Sequence, residues 1–377
     1  MRCLAIFFSA CALVRASVGS LAWVKAHDGK EATVPSFSAS NPAAWLLTGA
    51  SDMLKEGSKN KKLLGMKAAT DRPLNEHAMI MAHDAATTYL SGGILHPVNN
   101  WAKTQQDGGF RGMLDCGARA FDWRSQLDGG ELVFHHGKVV VPHSLPSALD
   151  EVVEWANANA RNASDLVLIH ATFCAGTGCD EALSAAFAAR NVAYITQCSE
   201  LQGLTVAEAA ARGKLPGGGY VLAVKDCLVS HYQPDVACSG YISETAVNGT
   251  FAAAEQQVVE SSLPSFYNCH ASSSSRDFPL NRMWSYLSDV SKAGPPADGL
   301  LYSHQALWQE TDASVAVGVA LFSSLLDDEK RSTLNSLLEQ RVTQKKWDVT
   351  RANLIEVNNV CDGGTALLAA LRKAQLS

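Results

Sequence analysis

The feature that most constrains this chain is an alternation. Short apolar runs that end in a polar residue are separated by amphipathic helical stretches. The runs are Ala78–Ala82 (AMIMA), Ala118–Trp123 (ARAFDW), Leu132–His135, Leu166–His170 (LVLIH), Ala193–Thr196, Tyr220–Val224 (YVLAV), Leu300–Ser303 and Leu354–Val357. Runs this short, bounded by turn residues, read as buried strands. Between them, Ser147–Asn159 carries Leu149, Val152, Val153 and Trp155 on one face, Thr205–Arg212 precedes a stop at Gly217–Gly219, and Asp327–Arg341 and Thr365–Ala374 repeat the i, i+3, i+4 spacing. Strands alternating with helices predict an α/β fold, a parallel sheet covered by helices. The number of units suits an irregular (βα) TIM-type barrel in a single domain, residues 68–377. Cys227–Ser275 breaks the rhythm and reads as long loops tied by disulfides.

The ends of the chain set its expected compartment. Arg2, the apolar run Cys3–Val14 and the small residues from Ala16 to Ala22 have the layout of a secretory signal peptide, residues 1–22. Residues 23–67 form a polar lead-in whose best helical piece is Ala43–Leu54. The later apolar stretch Val315–Leu326 is too short for a membrane span, so no transmembrane segment is expected and the mature protein is predicted to be secreted. Of ten cysteines, eight lie beyond the leader, an even count that reads as disulfides; Cys174/Cys179 and Cys227/Cys238 look like local staples. Zinc is the competing reading, but no paired CxxC or HxxxH spacing supports it. Asn162-Ala163-Ser164 and Asn248-Gly249-Thr250 are glycosylation sequons. A formal charge of −6 gives no general attraction to nucleic acid, and none is expected as a partner. An anionic substrate would have to be held by a few placed cations.

In a barrel of this kind the working side chains sit where strands end. Here the ends read His83-Asp84, Asp122-Trp123-Arg124, His135-His136-Gly137 and His170. Two imidazoles and a guanidinium suit in-line attack on a phosphodiester. One imidazole takes a proton from the attacking hydroxyl, the other gives one to the leaving oxygen, and the guanidinium meets charge on the non-bridging oxygens without a metal.

The run His77–Tyr89 (HAMIMAHDAATTY), Thr104-Gln105, Met113–Arg124 (MLDCGARAFDWR) and Phe134–Gly137 (FHHG) resembles the X domain of phosphatidylinositol-specific phospholipase C, most closely its bacterial-type, calcium-independent branch. The likeness covers residues 75–225, with a looser match at Leu300–Gln309 and Thr350–Val360. It implies an irregular (βα) barrel, no cofactor or metal, and a phosphoinositide or glycolipid substrate met at a membrane surface. By the same resemblance His83 is the general base, His136 the general acid and Arg124 the phosphate-binding arginine. Asp84 is the carboxylate beside the leaving group, and Asp122 is the partner of the arginine. Where the family has a carboxylate bonded to the base histidine, this chain has Asn358. Asp226 falls near the position where the bacterial enzymes have an inositol-contacting arginine, so recognition of the sugar differs; Glu244 falls near that of an acidic inositol-binding residue and His170 at that of a pocket lysine, while Lys138, after the His-His-Gly, is a candidate phosphate contact. Two readings follow. The intact set of His83, Arg124 and His136 favours a secreted phosphodiesterase; Asn358 favours an impaired barrel that binds inositol phosphates or a surface without turnover.

Overall fold

The computed structural model describes residues 72–93, 96–159, 165–230, 273–296, 299–308 and 324–376. All fall in the compact unit Asn60–Ser377. The leader and lead-in, both sequons, Glu244, and Cys238 and Cys269 lie outside the described residues.

Ten strands form one sheet. They are β1 (Met79–Ala82), β2 (Ala120–Asp128), β3 (Glu131–His136), β4 (Val139–Val141), β5 (Val167–Ala175), β6 (Ala193–Ile195), β7 (Val221–Lys225), β8 (Leu228–Ser230), β9 (Leu301–Gln305) and β10 (Leu354–Val357). Helices follow between them: α1 (Asn99–Ala102), α2 (Gly109–Asp115), α3 (Leu145–Asn159), α4 (Cys179–Ala188), α5 (Val206–Arg212), α6 (Ser273–Ala293), α7 (Leu325–Ser332), α8 (Leu334–Thr343) and α9 (Gly364–Leu376). Eight strands run parallel in the order β6-β7-β5-β2-β1-β10-β9-β8, the curled parallel sheet of a TIM-type fold. The order is not the sequential one of a regular barrel, because β7 lies between β5 and β6. Among the described residues nothing hydrogen-bonds β6 to β8.

Every apolar run expected to be a strand is one, but Leu132–His135 does not belong to the parallel set. It is β3, antiparallel to β2, and with β4 it makes a hairpin standing off the end of β2. Gly137, at φ 54, turns the chain between β3 and β4, a conformation that costs glycine little. The stretch expected as one helix, Asp327–Arg341, is two, broken at Thr333 in the left-handed region. Leu149, Val152 and Trp155 are buried on α3, and Val153 is partly buried and packs against the same core. Thr205 is the N-cap of α5, and Thr205 and Glu208 form a reciprocal capping box.

The central strands are buried on both faces, and successive residues join two different layers as the two-residue period requires. Met79, Met81, Ala120, Leu168, Leu222, Val224, Leu301 and Leu354 meet in an inner core. The intervening residues, among them Ile80, Phe121, Val167, Ile169 and Ile355, pack outward with α3, α4, α8 and α9. Trp123, Trp155 and Trp308 are all buried, as expected of packing residues. Among the described residues the bridges are Cys116–Cys361, Cys174–Cys179 and Cys198–Cys227. The 174/179 staple is as expected, whereas the 227/238 pair is not formed: Cys227 closes the start of β8 onto the turn after β6.

Candidate active site

The polar ends of the strands continue the inner rows. Counting by twos leads from Met81 to His83, from Ala120 through Asp122 to Arg124, from Leu168 to His170, and from Leu354 through Glu356 to Asn358. The apolar core therefore gives way, at the carboxyl ends of the strands, to a layer of ionisable groups.

His83 is held from several sides. Its carbonyl accepts hydrogen bonds from Thr104 Oγ1 (2.8 Å) and Gln105 Nε2 (3.0 Å), and its backbone N–H donates to Val357. Its ring Nδ1 lies 2.9 Å from Asn358 Oδ1. The Asn358 amide nitrogen donates to the Trp308 carbonyl (2.9 Å) and to Glu329 Oε1 (2.8 Å), neither of which can donate in return. That fixes the amide orientation, so Asn358 Oδ1 accepts from an Nδ1–H and the Nε2 of neutral His83 carries the free lone pair.

That Nε2 lies 3.2 Å from Asp84 Oδ2 and 3.4 Å from Arg124 Nη2. Asp84, with a left-handed backbone at φ 42, is buried, and its N–H donates to Asp122 Oδ2 (3.1 Å). On the hairpin, the other face of Asp84 Oδ2 meets His136 Nε2 at 3.1 Å. His136 Nδ1 donates to the Ala102 carbonyl (2.9 Å), which orients its Nε2 inward. Arg124 completes the frame, with Nε 2.9 Å from Asp84 Oδ1 and Nη2 2.8 Å from Asp122 Oδ2. The contacts of Asp84 are close but off-axis, ion pairs rather than aligned hydrogen bonds. One carboxylate oxygen thus touches both imidazoles while the other touches the guanidinium.

The electrostatics follow from burial and pairing. Burial lowers the affinity of His83 for a proton, but Asp84 and Glu356 outweigh it and its pKa is raised. Burial would raise the Asp122 carboxyl, yet Arg124 and then His83 hold it below the ordinary value. For Arg124, desolvation is overcome by Asp122 and Asp84, which keep the guanidinium firmly charged. His83, Asp84 and Asp122 offer ligand atoms within 4.8 Å of one another, a spacing a cation could use. The Arg124 guanidinium already occupies both of those carboxylates, so the positive charge there is covalently built in.

The chain is similar in fold to bacterial phosphatidylinositol-specific phospholipases C. The enzyme of Listeria monocytogenes shares 13% identity over 82% of this chain and 97% of its own, with a TM-score of 0.47. That of S. aureus shares 15% identity over 81% of this chain and 95% of its own, with a TM-score of 0.46. No protein-family model and no curated protein matches.

Six of the residues expected from the sequence converge: His83, Asp84, Asp122, Arg124, His136 and Asn358. His170 is buried beside Asp122 on the neighbouring strand, and among the described residues neither of its ring nitrogens is hydrogen-bonded; burial lowers its pKa although Asp122 and Asp226 oppose this. Asp226 is exposed, at φ 48 between β7 and β8. Lys138 is exposed in the hairpin turn, two residues beyond His136. His143 stacks on Tyr89 (3.6 Å between ring centres), and His304 lies 3.2 Å from Ser291 Oγ; both belong to the packing. Two carboxyls were missed. Glu329 carries the amide of Asn358, and its place on an amphipathic helix gave no sign of this. Glu356 had a legible signal, a lone acid within a buried strand, in step with Asn358 two residues on.

Proposed function

We propose that this chain is a secreted phosphodiesterase that cleaves phosphatidylinositol or a glycosylated phosphatidylinositol through a cyclic inositol phosphate, without a metal. The observation that carries the reading is the shared oxygen of Asp84, which keeps the two imidazole Nε2 atoms on one small volume beside Arg124. A phosphorus centre there would have an acceptor nitrogen on one side, a donor nitrogen on the other and a guanidinium between them. His83 Nε2 takes the proton of the attacking ring hydroxyl as its oxygen bonds to phosphorus. His136 Nε2 protonates the departing oxygen as the other P–O bond breaks. Arg124 neutralises the non-bridging oxygens, and Asp122 holds its fork in register.

The side of the site next to His136 supports a hydrocarbon-bearing leaving group. Phe173, 66% exposed and in the left-handed region at φ 49, lies over the Arg124 guanidinium at 5.5 Å. Its carbonyl is 2.8 Å from His135 Nε2, and directly across the hairpin from His135 stands exposed Val140. Val98, also exposed, lies one turn ahead of the Ala102 carbonyl that orients His136. Among the described residues no helix is long and apolar enough to cross a membrane, and the disulfides suit an oxidising compartment.

The test is turnover of phosphatidylinositol micelles in excess chelator, with the cyclic phosphodiester followed by phosphorus NMR. Activity should survive chelation and fall by about 10²–10⁴ in His83→Ala. A requirement for calcium would overturn the metal-free reading. Absence of turnover with any inositol lipid would favour the second reading, a binding barrel, for which Asn358 in place of a charged partner to His83 is the supporting observation.

A further inference from the structure

We infer that Glu356 is a positioning residue whose carboxylate holds the positive charge that His83 acquires on taking the proton from the attacking hydroxyl. The inference rests on the reaction proposed above and assigns a part in it to a residue with no place in the resemblance.

Asn358 leaves one requirement of the base unmet. Its Oδ1 orients His83 and selects the tautomer, but an amide carries no charge to meet the imidazolium. That imidazolium would form at a residue only 5% exposed, where an unmatched charge is costly. Of the carboxylates near His83, Asp84 and Asp122 are both closed on the Arg124 guanidinium, and Asp84 is shared with His136 as well. Among the described residues Glu356 is the remaining one. It stands on the inner row of β10, in register with Met81 on β1 and Gln305 on β9, neither of which ionises. It is itself 5% exposed, and among the described residues no hydrogen bond or ion pair engages its carboxyl. The charged groups facing it are His83 and Asp84 beyond β1 and Asp122 and Arg124 on β2. His170, on β5, is kept neutral by burial. A buried carboxyl beside two others, with the Arg124 guanidinium already taken by them, has His83 as its available cation among the described residues.

Its own titration agrees with this placement. Burial, with Asp122 and Asp84 adding to it against the pull of His83 and Arg124, raises the Glu356 carboxyl to about 7. The Glu356 carboxyl therefore changes charge in the neutral range, beside an imidazole that its negative form helps to keep protonated. Glu356 is neutral when the pocket has protons to spare and anionic when His83 has to become a cation.

The experiment compares the full chain with Glu356→Gln and Glu356→Asp by two readouts. The first is the NMR titration of the His83 ring, which needs no substrate. The second is the pH profile of kcat and KM on phosphatidylinositol micelles. In Glu356→Gln the His83 midpoint should move to lower pH by about one unit. The rising limb of kcat/KM should move with it, and kcat should fall about tenfold or more with KM nearly unchanged; Glu356→Asp should recover part of both. An unmoved His83 midpoint in folded Glu356→Gln, checked by circular dichroism, would overturn the inference whether or not the chain turns over lipid. A moved midpoint in a chain without lipid turnover would uphold the electrostatic coupling and overturn only its use in this reaction.

Discussion

Asn358 is the residue at which charge and orientation part company. Its amide nitrogen is committed to Glu329 and the Trp308 carbonyl, so its oxygen has one orientation and His83 one tautomer. Restoring a carboxylate by Asn358→Asp would therefore not give a better base. It would set two carboxylates at hydrogen-bond distance in the core and remove the donor that the Trp308 carbonyl requires. The expected result is a loss of about 1–3 kcal/mol of stability in denaturant titrations with no gain in rate. Adding Glu329→Gln, which supplies a donor facing the new carboxylate, should recover much of that stability. If Asn358→Asp alone were as stable as the parent, the amide orientation assigned here would be wrong. At this scale the sequence was legible where polar residues end apolar runs, as with His83, Asp122 and Arg124. It was silent where the partner arrives from a helix remote in the chain, as Glu329 does.

The hairpin of β3 and β4 is the element that converts a strand rule into a site. Apolar Leu132, Val133 and Phe134 read as another parallel strand, and nothing in their composition distinguishes that from an antiparallel arm. What decides the matter is proximity in sequence: only two residues, Gly129 and Gly130, separate Asp128 from Glu131, too few for a crossover to a parallel neighbour. The hairpin then swings His136 over the strand ends, and its Nδ1 bond to Ala102 fixes the ring. The same element carries Val140 and, through His135, contacts the strained Phe173. Phe173→Ala with Val140→Ser should weaken sedimentation with phosphatidylinositol vesicles about tenfold or more. Hydrolysis of a water-soluble, short-chain inositol phosphodiester should remain within about threefold, because neither residue takes part in proton transfer. Equal losses on both substrates would show that these side chains shape the site rather than meet hydrocarbon.

Over the whole molecule, the strand-and-helix rhythm sufficed to give the fold class, because each buried strand must be covered and each helix has one apolar face. It did not give the strand order. The placement of β7 between β5 and β6 depends on which short strand reaches which edge, and β6 is only three residues long. The Cys116–Cys361 bridge spans 245 residues and fastens the end of α2 to the turn just before α9, close to Asn358 and Asn359. Replacing both cysteines with serine should cost about 5 kcal/mol by the loop-entropy estimate, read as a lower melting temperature by calorimetry. Acid should weaken the fold through a second group. His77 is lowered to about 4 by burial, then by Arg372 and Arg72. Between 6.5 and that value the unfolded chain binds the proton more readily, so stability falls as pH is lowered through this window. His77→Gln should flatten that part of the stability profile; an unchanged slope would assign the acid sensitivity to other groups.

The division of labour between the two imidazoles is the centre of this account, and leaving-group dependence tests it most directly. Rates of His83→Ala and His136→Ala would be measured on phosphatidylinositol and on an inositol phosphodiester with a nitrophenolate leaving group, which departs without needing a proton. His136→Ala should lose about 10²–10⁴ on the lipid and recover most of that on the nitrophenyl ester, while His83→Ala should be slow on both. Equal impairment of His136→Ala on the two substrates, or rescue of His83→Ala by the better leaving group, would contradict the assignment of acid and base.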